Sequence, residues 1–148
     1  MNETHVTLVG NVVTDVTEAT TQQGFDKSTF RMAATSRRFD RGLGQWVDGD
    51  TSYVRVNCWR RLARNVAASL TKGDPVVVTG TLRVREWASD DGRRGVSVEV
   101  EAASIGHDLA RGVTTFTRPA KREGSLASDA EGLPEATPFD AADQPQAA

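Results

Sequence analysis

Apolar residues recur at every second position in five separate segments of the first two-thirds of the chain. This period-two alternation is typical of β-strands that bury one face. The strand segments span residues 5–10, 27–35, 53–59, 76–87 and 95–103. Gly80 falls inside the fourth segment and predicts a bend or bulge there. Residues 89–92, Ser-Asp-Asp-Gly, predict a hairpin turn between the last two strands.

One helix fits between the third and fourth strands. Leu62, Val66 and Leu70 follow each other at intervals of four residues, which predicts a helix over 60–71 with Gly73 as its C-terminal cap. Five strands with one helix in this place is the order of an OB-fold barrel, although the periodicity also fits another small α+β barrel. The sequence therefore favours an all-β, five-stranded OB-fold barrel with one short helix.

The composition changes near Pro119. Residues 1–118 carry 16 basic and 14 acidic residues, a net charge of +2, whereas residues 119–148 carry 2 and 6, a net charge of −4. The second part holds four of the five prolines, and its only aromatic residue is Phe139. Such a segment buries too little apolar surface to offset its ordering entropy. We predict an OB-fold domain over 1–118 and a disordered acidic tail over 119–148.

Several kinds of function find little support in the sequence. No stretch has the apolar length of a membrane span. The lone cysteine, Cys58, predicts no internal disulfide and is expected in the core. With His5 and His107 it forms no metal-ligand spacing, and the acidic residues of 1–118 do not cluster as in a metal-dependent nuclease. We expect a soluble, cytoplasmic, nucleoid-associated protein that has no enzymatic activity, metal or cofactor and does not bind membranes.

Three strands each place arginine and aromatic residues on the face that the core does not use. On the third strand this face holds Tyr53, Arg55, Asn57 and Trp59, opposite the apolar Val54, Val56 and Cys58. On the fourth it holds Arg83, Arg85 and Trp87, opposite Leu82 and Val84. Around the second, Arg31, Arg37 and Phe39 share one parity. A core would not select this mixture of residues.

The chemistry of these faces suits a single-stranded nucleic acid. Unpaired bases stack on aromatic rings regardless of sequence, and arginine neutralises the backbone phosphates. A simpler interpretation is that each Trp packs at the barrel edge and each exposed arginine is only solvated; Trp87 in particular lies near a turn and is also able to cap the barrel. Trp46 belongs to segment 39–50, which we predict to be a loop, with Trp46 packed on the barrel edge rather than clamping a strand.

The strand motifs, taken in order, resemble the bacterial single-stranded DNA-binding proteins. The matching pieces run from about residue 4 to residue 108 and comprise Val6-Thr7-Leu8-Val9-Gly10-Asn11, Ala34-Thr35-Ser36, Tyr53-Val54-Arg55-Val56 with Trp59 and Leu62-Ala63, Lys72-Gly73 with Val76 and Val78, and Gly80-Thr81-Leu82-Arg83-Val84-Arg85-Glu86-Trp87. The resemblance implies an OB barrel that assembles as a homotetramer around single-stranded DNA. It implies base stacking on Phe39, Tyr53, Trp59 and Trp87, and strand contacts from Arg55, Arg61, Lys72, Arg83 and Arg85.

The C-terminal end departs from the family pattern. Family members usually close with an acidic tip ending in Pro-Phe, which docks replication and repair proteins. Here the pair Pro138-Phe139 is followed by nine more residues. This departure weakens the prediction that the tail recruits protein partners and suggests a specialised second paralogue.

Two other functions remain compatible with the sequence. An OB module that prefers RNA would use the same aromatic and arginine residues, because stacking does not distinguish the 2′-hydroxyl. An OB subunit of a larger complex would instead bury these faces in oligomer interfaces. The leading hypothesis is sequence-tolerant binding and protection of single-stranded DNA in replication, recombination or repair.

Overall fold

The computed structural model describes residues 2–120. Strands dominate this part of the chain, with one helix between the fourth and fifth strands. The elements are β1 (His5–Val12), β2 (Thr17–Thr20), β3 (Asp26–Asp40), β4 (Gln45–Trp59), α1 (Arg60–Ser69), β5 (Pro75–Ala88) and β6 (Arg94–His107).

The strands form one sheet in the order β1-β5-β6-β4-β3-β2. β1 also pairs with β3, where Asn11 lies opposite Ala33, so five of the strands close into a ring. The β4–β6 pairing is parallel and the other pairings are antiparallel. The predicted all-β OB-type barrel with one short helix is confirmed. One strand more than predicted is present: β2, which is four exposed residues long and pairs only with β3.

The interior of the ring is apolar. Its largest fully buried side chains include Phe30, Met32 and Val56, and α1 adds Ala63 and Val66. Cys58 is fully buried there, as predicted, and burial raises the pKa of its thiol to about 11. The thiolate form is therefore scarce at neutral pH, and Cys58 acts as a core side chain rather than as a nucleophile.

Glycine allows one strand to cross close to its neighbour. The β5–β6 register shifts between Thr79 and Gly80, which confirms the predicted bulge. A Cβ atom at Gly80 would lie 2.1 Å from the carbonyl oxygen of Glu101. Only glycine fits this approach without moving the backbone of β6.

Two hairpins extend beyond the ring as arms. The β3–β4 pairing continues from Lys27–Trp59 at the ring to Asp40–Gln45 at the tip, and the β5–β6 pairing continues to Ala88–Arg94. The prediction of a loop over 39–50 was therefore wrong: only 41–44 form the turn, and the neighbouring residues are strand. Val84 also differs from its predicted core position. It is 58% exposed because it lies on an arm, beyond the buried interior.

The end of α1 is closed by different residues than predicted. The helix stops at Ser69, its C-cap is Leu70 in an extended conformation, and the N–H of Leu70 donates to the Val66 carbonyl. Gly73, with φ of 99°, instead turns the chain into β5 and donates its N–H to the Val12 carbonyl at 2.7 Å. The Asp74 carboxylate accepts the Thr71 N–H at 2.9 Å and lies 3.1 Å from Nε2 of His107. Mainly through the Thr71 N–H, these contacts hold the pKa of Asp74 below its usual value.

Among the described residues, the contacts of the chain divide into two units after Thr114. In the second unit, the Arg118 guanidinium lies 5.8 Å from the ring centroid of Phe116. The domain boundary at 118 stays a prediction. The predicted disordered tail of 119–148 lies, from residue 121 onward, outside the described residues. Within residues 2–120, no helix has the length and apolar character needed to cross a membrane.

Candidate nucleic-acid interface

The strand registers place the predicted binding residues on one side of the sheet. Residues directly opposite each other on paired strands project to the same face. Arg55 of β4 lies opposite Arg31 of β3 and Glu99 of β6, and Glu99 in turn lies opposite Arg83 of β5. Four neighbouring strands therefore share one solvent-facing surface, which we call the outer face. It carries Lys27, Arg31, Phe39, Tyr53, Arg55, Asn57, Trp59, Arg83, Arg85, Trp87, Glu99 and Glu101.

Aromatic side chains stand exposed across the outer face. Tyr53 is 56% exposed, Trp59 38% and Trp87 49%, and Phe39 on the β3–β4 arm is 49% exposed. Large aromatic groups normally bury most of their surface. Their exposure on one surface leaves ring faces available for stacking.

The structure adds Trp46 to this set. It pairs across the strands with Phe39, and the two rings meet edge to face with centroids 5.7 Å apart. Trp46 is 61% exposed and packs on Phe39 rather than on the barrel edge, so its predicted packing was wrong. The alternation of residues in the sequence did not place Trp46 on the same face as Tyr53, because one has an even and the other an odd position along β4. The register shift between Thr35 and Arg37 offsets β4 by one residue and turns Trp46 to the outer face.

Trp59 is fixed at its edge and covered by a cation on its ring. Its indole N–H donates to Oε2 of Glu101 at 2.8 Å. Nζ of Lys27 lies 4.9 Å from the ring centroid. Asn57, which is buried, donates to the other oxygen of the same carboxylate at 3.3 Å. Glu101 therefore fixes the edge of the Trp59 ring, while the Lys27 ammonium lies over one of its faces.

Trp87 lies on a glycine near the tip of the β5–β6 arm. It pairs with Gly95, where a Cβ atom would lie 2.4 Å from Cζ2 of the indole. The ring therefore rests on the β6 backbone and leaves its other side to solvent. Gly95 was not predicted as a site residue. The predicted hairpin turn at 89–92 places it directly opposite Trp87, and this pairing could have identified it from the sequence. The arm position also shows that Trp87 does not cap the barrel.

Arginines dominate the charge of the outer face. The Arg31 guanidinium lies 5.7 Å from the Tyr53 ring centroid, in the range of a cation–π contact. Nε of Arg85 lies 3.1 Å from Oε2 of Glu99, which is a buried residue. Arg55 and Arg83 are exposed. The alternation of cations with ring faces is the arrangement that stacked bases and backbone phosphates require.

Two predicted contact residues lie away from the outer face. Arg61 is exposed on α1, and Lys72 is exposed in the turn between α1 and β5. The register therefore brings together seven of the nine predicted site residues and leaves these two on the helical side of the ring. Across residues 2–120, no three His, Cys, Asp or Glu side chains are grouped to hold a metal ion.

Comparison with known proteins agrees with this architecture. Residues 3–108 match the family described as "Single-strand binding protein family". The chain belongs to this single-strand binding protein family. It is 43% identical over 135 residues to single-stranded DNA-binding protein 2 of Streptomyces avermitilis, covering 91% of this chain and 84% of that protein. It is 36% identical over 143 residues to the single-stranded DNA-binding protein of Mycobacterium tuberculosis strain H37Rv, covering 97% of this chain and 87% of that one.

Solved structures of family members superpose on the fold. A small single-stranded DNA-binding protein from Streptomyces coelicolor shares 43% sequence identity and has a TM-score of 0.69. That comparison covers 76% of this chain and all of the other. The second single-stranded DNA-binding protein of Mycobacterium smegmatis shares 37% identity with a TM-score of 0.60, covering 79% of this chain and all of the other.

Proposed function

We propose that this protein binds single-stranded DNA with little base preference and protects exposed strands during replication, recombination or repair, without catalysing a reaction. The observation that supports the proposal most strongly is the outer face itself. Five exposed aromatic residues share this surface with basic residues that outnumber the acidic ones. Family membership and the names of the relatives support the same function.

The proposed mechanism divides the work between rings and guanidinium groups. Bases stack on the aromatic side chains of the outer face, at about 1–3 kcal/mol per base. Cations neutralise phosphates and release counterions, so affinity falls as salt rises. The stacking residues are Phe39, Tyr53, Trp59 and Trp87, joined by Trp46; the phosphate contacts are Arg55, Arg83 and Arg85, with Arg61 and Lys72 lying beyond the sheet on the helical side.

Stacking explains a preference for single strands. A duplex hides its base faces, so the exposed rings have nothing to stack on and only phosphate contacts remain. We expect single strands to bind more tightly than duplexes of equal length. The gap widens with salt, because stacking depends less on counterions than phosphate contacts do.

The assembly and location of the protein also belong to the proposal. We propose a homo-oligomer, a tetramer by its resemblance to the family, that acts in the cytoplasm on the nucleoid. Recruitment of other proteins through residues 119–148 is not part of it.

Competition binding tests the proposed function. Fluorescence anisotropy with labelled oligo(dT) is measured against unlabelled duplex DNA and against oligo(U). The variant Tyr53→Ala removes an exposed ring, and Val84→Ala removes an exposed apolar side chain from the opposite side of the β5–β6 arm.

We expect single-stranded DNA to compete best, Tyr53→Ala to bind at least about fivefold more weakly, and Val84→Ala to bind like the wild type. Stronger competition by oligo(U) would favour the RNA-binding alternative. Equal losses in the two variants would mean that the outer face is not the binding surface. No binding at all would favour an interaction subunit whose rings face other protein chains.

A further inference from the structure

A second pairing of an aromatic ring with a cation lies just past Trp59. Phe25, immediately before β3, is 39% exposed. The guanidinium carbon of Arg60 lies 4.8 Å from its ring centroid. Phe25 is two residues from Lys27, whose ammonium lies over the Trp59 ring, and Arg60 directly follows Trp59. The start of β3 and the end of β4, two of the four strands of the outer face, therefore lead into this pair.

The backbone of Arg60 is unusual. Its φ is 59°, and among residues 2–120 it is the one residue other than glycine with a positive φ. Side-chain-bearing residues disfavour this left-handed conformation, and glycine adopts it freely. The junction between β4 and α1 would accept glycine more easily, yet it carries a long cationic side chain that reaches Phe25. Backbone strain of this kind concentrates at functional positions.

The acidic residue that follows Phe25 in the chain is already paired. Oδ2 of Asp26 lies 3.3 Å from Nη1 of Arg64 on α1, which satisfies its charge. Within the described residues, neither Lys27 nor Arg60 lies within salt-bridge distance of a carboxylate. Their positive charges, beside two exposed rings, are available to an anionic ligand.

We propose that Phe25 and Arg60 form an additional nucleotide subsite that extends the path of the DNA strand beyond Trp59, around the end of β4. Phe25 stacks a base on the exposed part of its ring, and Arg60, held against that ring, contacts a backbone phosphate. This inference rests on the proposed single-stranded DNA binding and gives that path a further step. The chemistry matches the Lys27–Trp59 and Arg31–Tyr53 pairs of the outer face, where a cation also lies over a ring.

Two substitutions in the full chain separate the roles of the pair. Arg60→Gly removes the cation and also relieves the left-handed backbone, so it is expected to raise the melting temperature while weakening binding. Phe25→Leu keeps an apolar side chain of similar bulk but removes the ring. Arg38→Ala is the control for charge. It removes one cation from the face of the β3–β4 arm that does not carry Phe39.

The measurement is the affinity for oligo(dT) in a series of increasing length, at several salt concentrations. We expect both variants to bind the long oligomers at least about fivefold more weakly than the wild type does, and to bind the shortest tight-binding oligomer equally well. Arg60→Gly should also lower the slope of log affinity against log salt by about 0.7, as expected for one lost phosphate contact, whereas Phe25→Leu should leave the slope unchanged.

The possible outcomes distinguish this subsite from the proposed function. If the wild type binds tightly and both variants match Arg38→Ala at every length, the subsite does not exist although the function stands. If Arg60→Gly binds weakly at all lengths with a lowered melting temperature, Arg60 has a structural role and the inference fails. If the wild type does not bind oligo(dT), both proposals fall together.

Discussion

The ring and the arms are built from the same strands but are stabilised differently. In β3, the half inside the ring alternates with the buried residues Ser28, Phe30 and Met32, whereas residues 35–39 on the arm are all exposed. β5 changes in the same way after Gly80. The ring is therefore held by packing of apolar side chains, and the arms are held by cross-strand hydrogen bonds and side-chain pairs.

This difference explains the position of three of the five exposed aromatic side chains. A residue in the ring has one face committed to the core, but an arm has no core beneath it. Phe39, Trp46 and Trp87 all lie on arms, where they contact a neighbouring ring or a glycine and leave surface to solvent. The closed ring of strands provides stability, and the arms provide aromatic surfaces that a flexible DNA strand can reach. Four substitutions test this division.

Phe30→Ala should have the largest effect on stability. Phe30 is 1% exposed in the middle of the core, and its truncation leaves a cavity. We expect a loss of about 3–5 kcal/mol in the free energy of unfolding, measured by chemical denaturation. A loss below about 1 kcal/mol would mean that the ring interior does not carry the stability.

Trp46→Ala should show the opposite pattern. Because Trp46 is mostly exposed on an arm, its removal should change the free energy of unfolding by less than about 1 kcal/mol. It should weaken oligo(dT) binding by about 1–3 kcal/mol, the value of one stacked base, measured by anisotropy. Unchanged affinity would exclude this arm from the DNA path. Leu43→Ala, at the exposed turn of the same arm, is the control.

Asp74→Asn tests a polar contact at the helix end of the ring. The pKa of Asp74 is lowered in the folded state, so its charge stabilises the protein above the unfolded pKa of about 3.8. This contribution is lost as pH falls through the lower, folded value. We expect the variant to be less stable by about 1 kcal/mol at pH 7, and equal to the wild type in strong acid. The check is chemical denaturation of both proteins at several pH values. A difference in the free energy of unfolding that stays the same at every pH would contradict this.

Gly95→Ala should have the smallest effect on stability. The new methyl group would collide with the Trp87 ring, but on an arm the ring is free to move aside. We expect the free energy of unfolding to change by less than about 0.5 kcal/mol and binding to weaken by about 1 kcal/mol, because the ring no longer lies in place. A large loss of stability would show that Trp87 is part of the packed structure.

The ring and the β5–β6 arm were predictable from the sequence, and the β3–β4 arm was not. Alternation of Val54, Val56 and Cys58 identifies a strand because a core faces one side of it. On the β3–β4 arm both faces are solvated, so the alternation of apolar and polar residues fades, and β4 was predicted to begin at Tyr53 instead of Gln45. The β5–β6 arm was found because its Ser-Asp-Asp-Gly turn at 89–92 is recognisable in the sequence. The edge strand β2 was missed for the same reason: all four of its residues are exposed.

The site followed the same division. Tyr53, Arg55 and Trp59 were found because they alternate with core residues on one strand. Trp46 was assigned to the wrong environment because a register shift reverses its parity, and a single sequence does not reveal such a shift. Phe25 and Arg60 meet only through the fold, from segments that no local pattern connects.

The most direct test of DNA binding by the outer face is a titration of intrinsic tryptophan fluorescence with oligo(dT). All three tryptophans of the chain, Trp46, Trp59 and Trp87, lie on the outer face. We predict strong quenching by the single strand, little quenching by a duplex of equal length, and weaker binding at high salt. Unchanged fluorescence in the presence of oligo(dT) that demonstrably binds would contradict this prediction, because the strand would then follow a path that avoids the outer face.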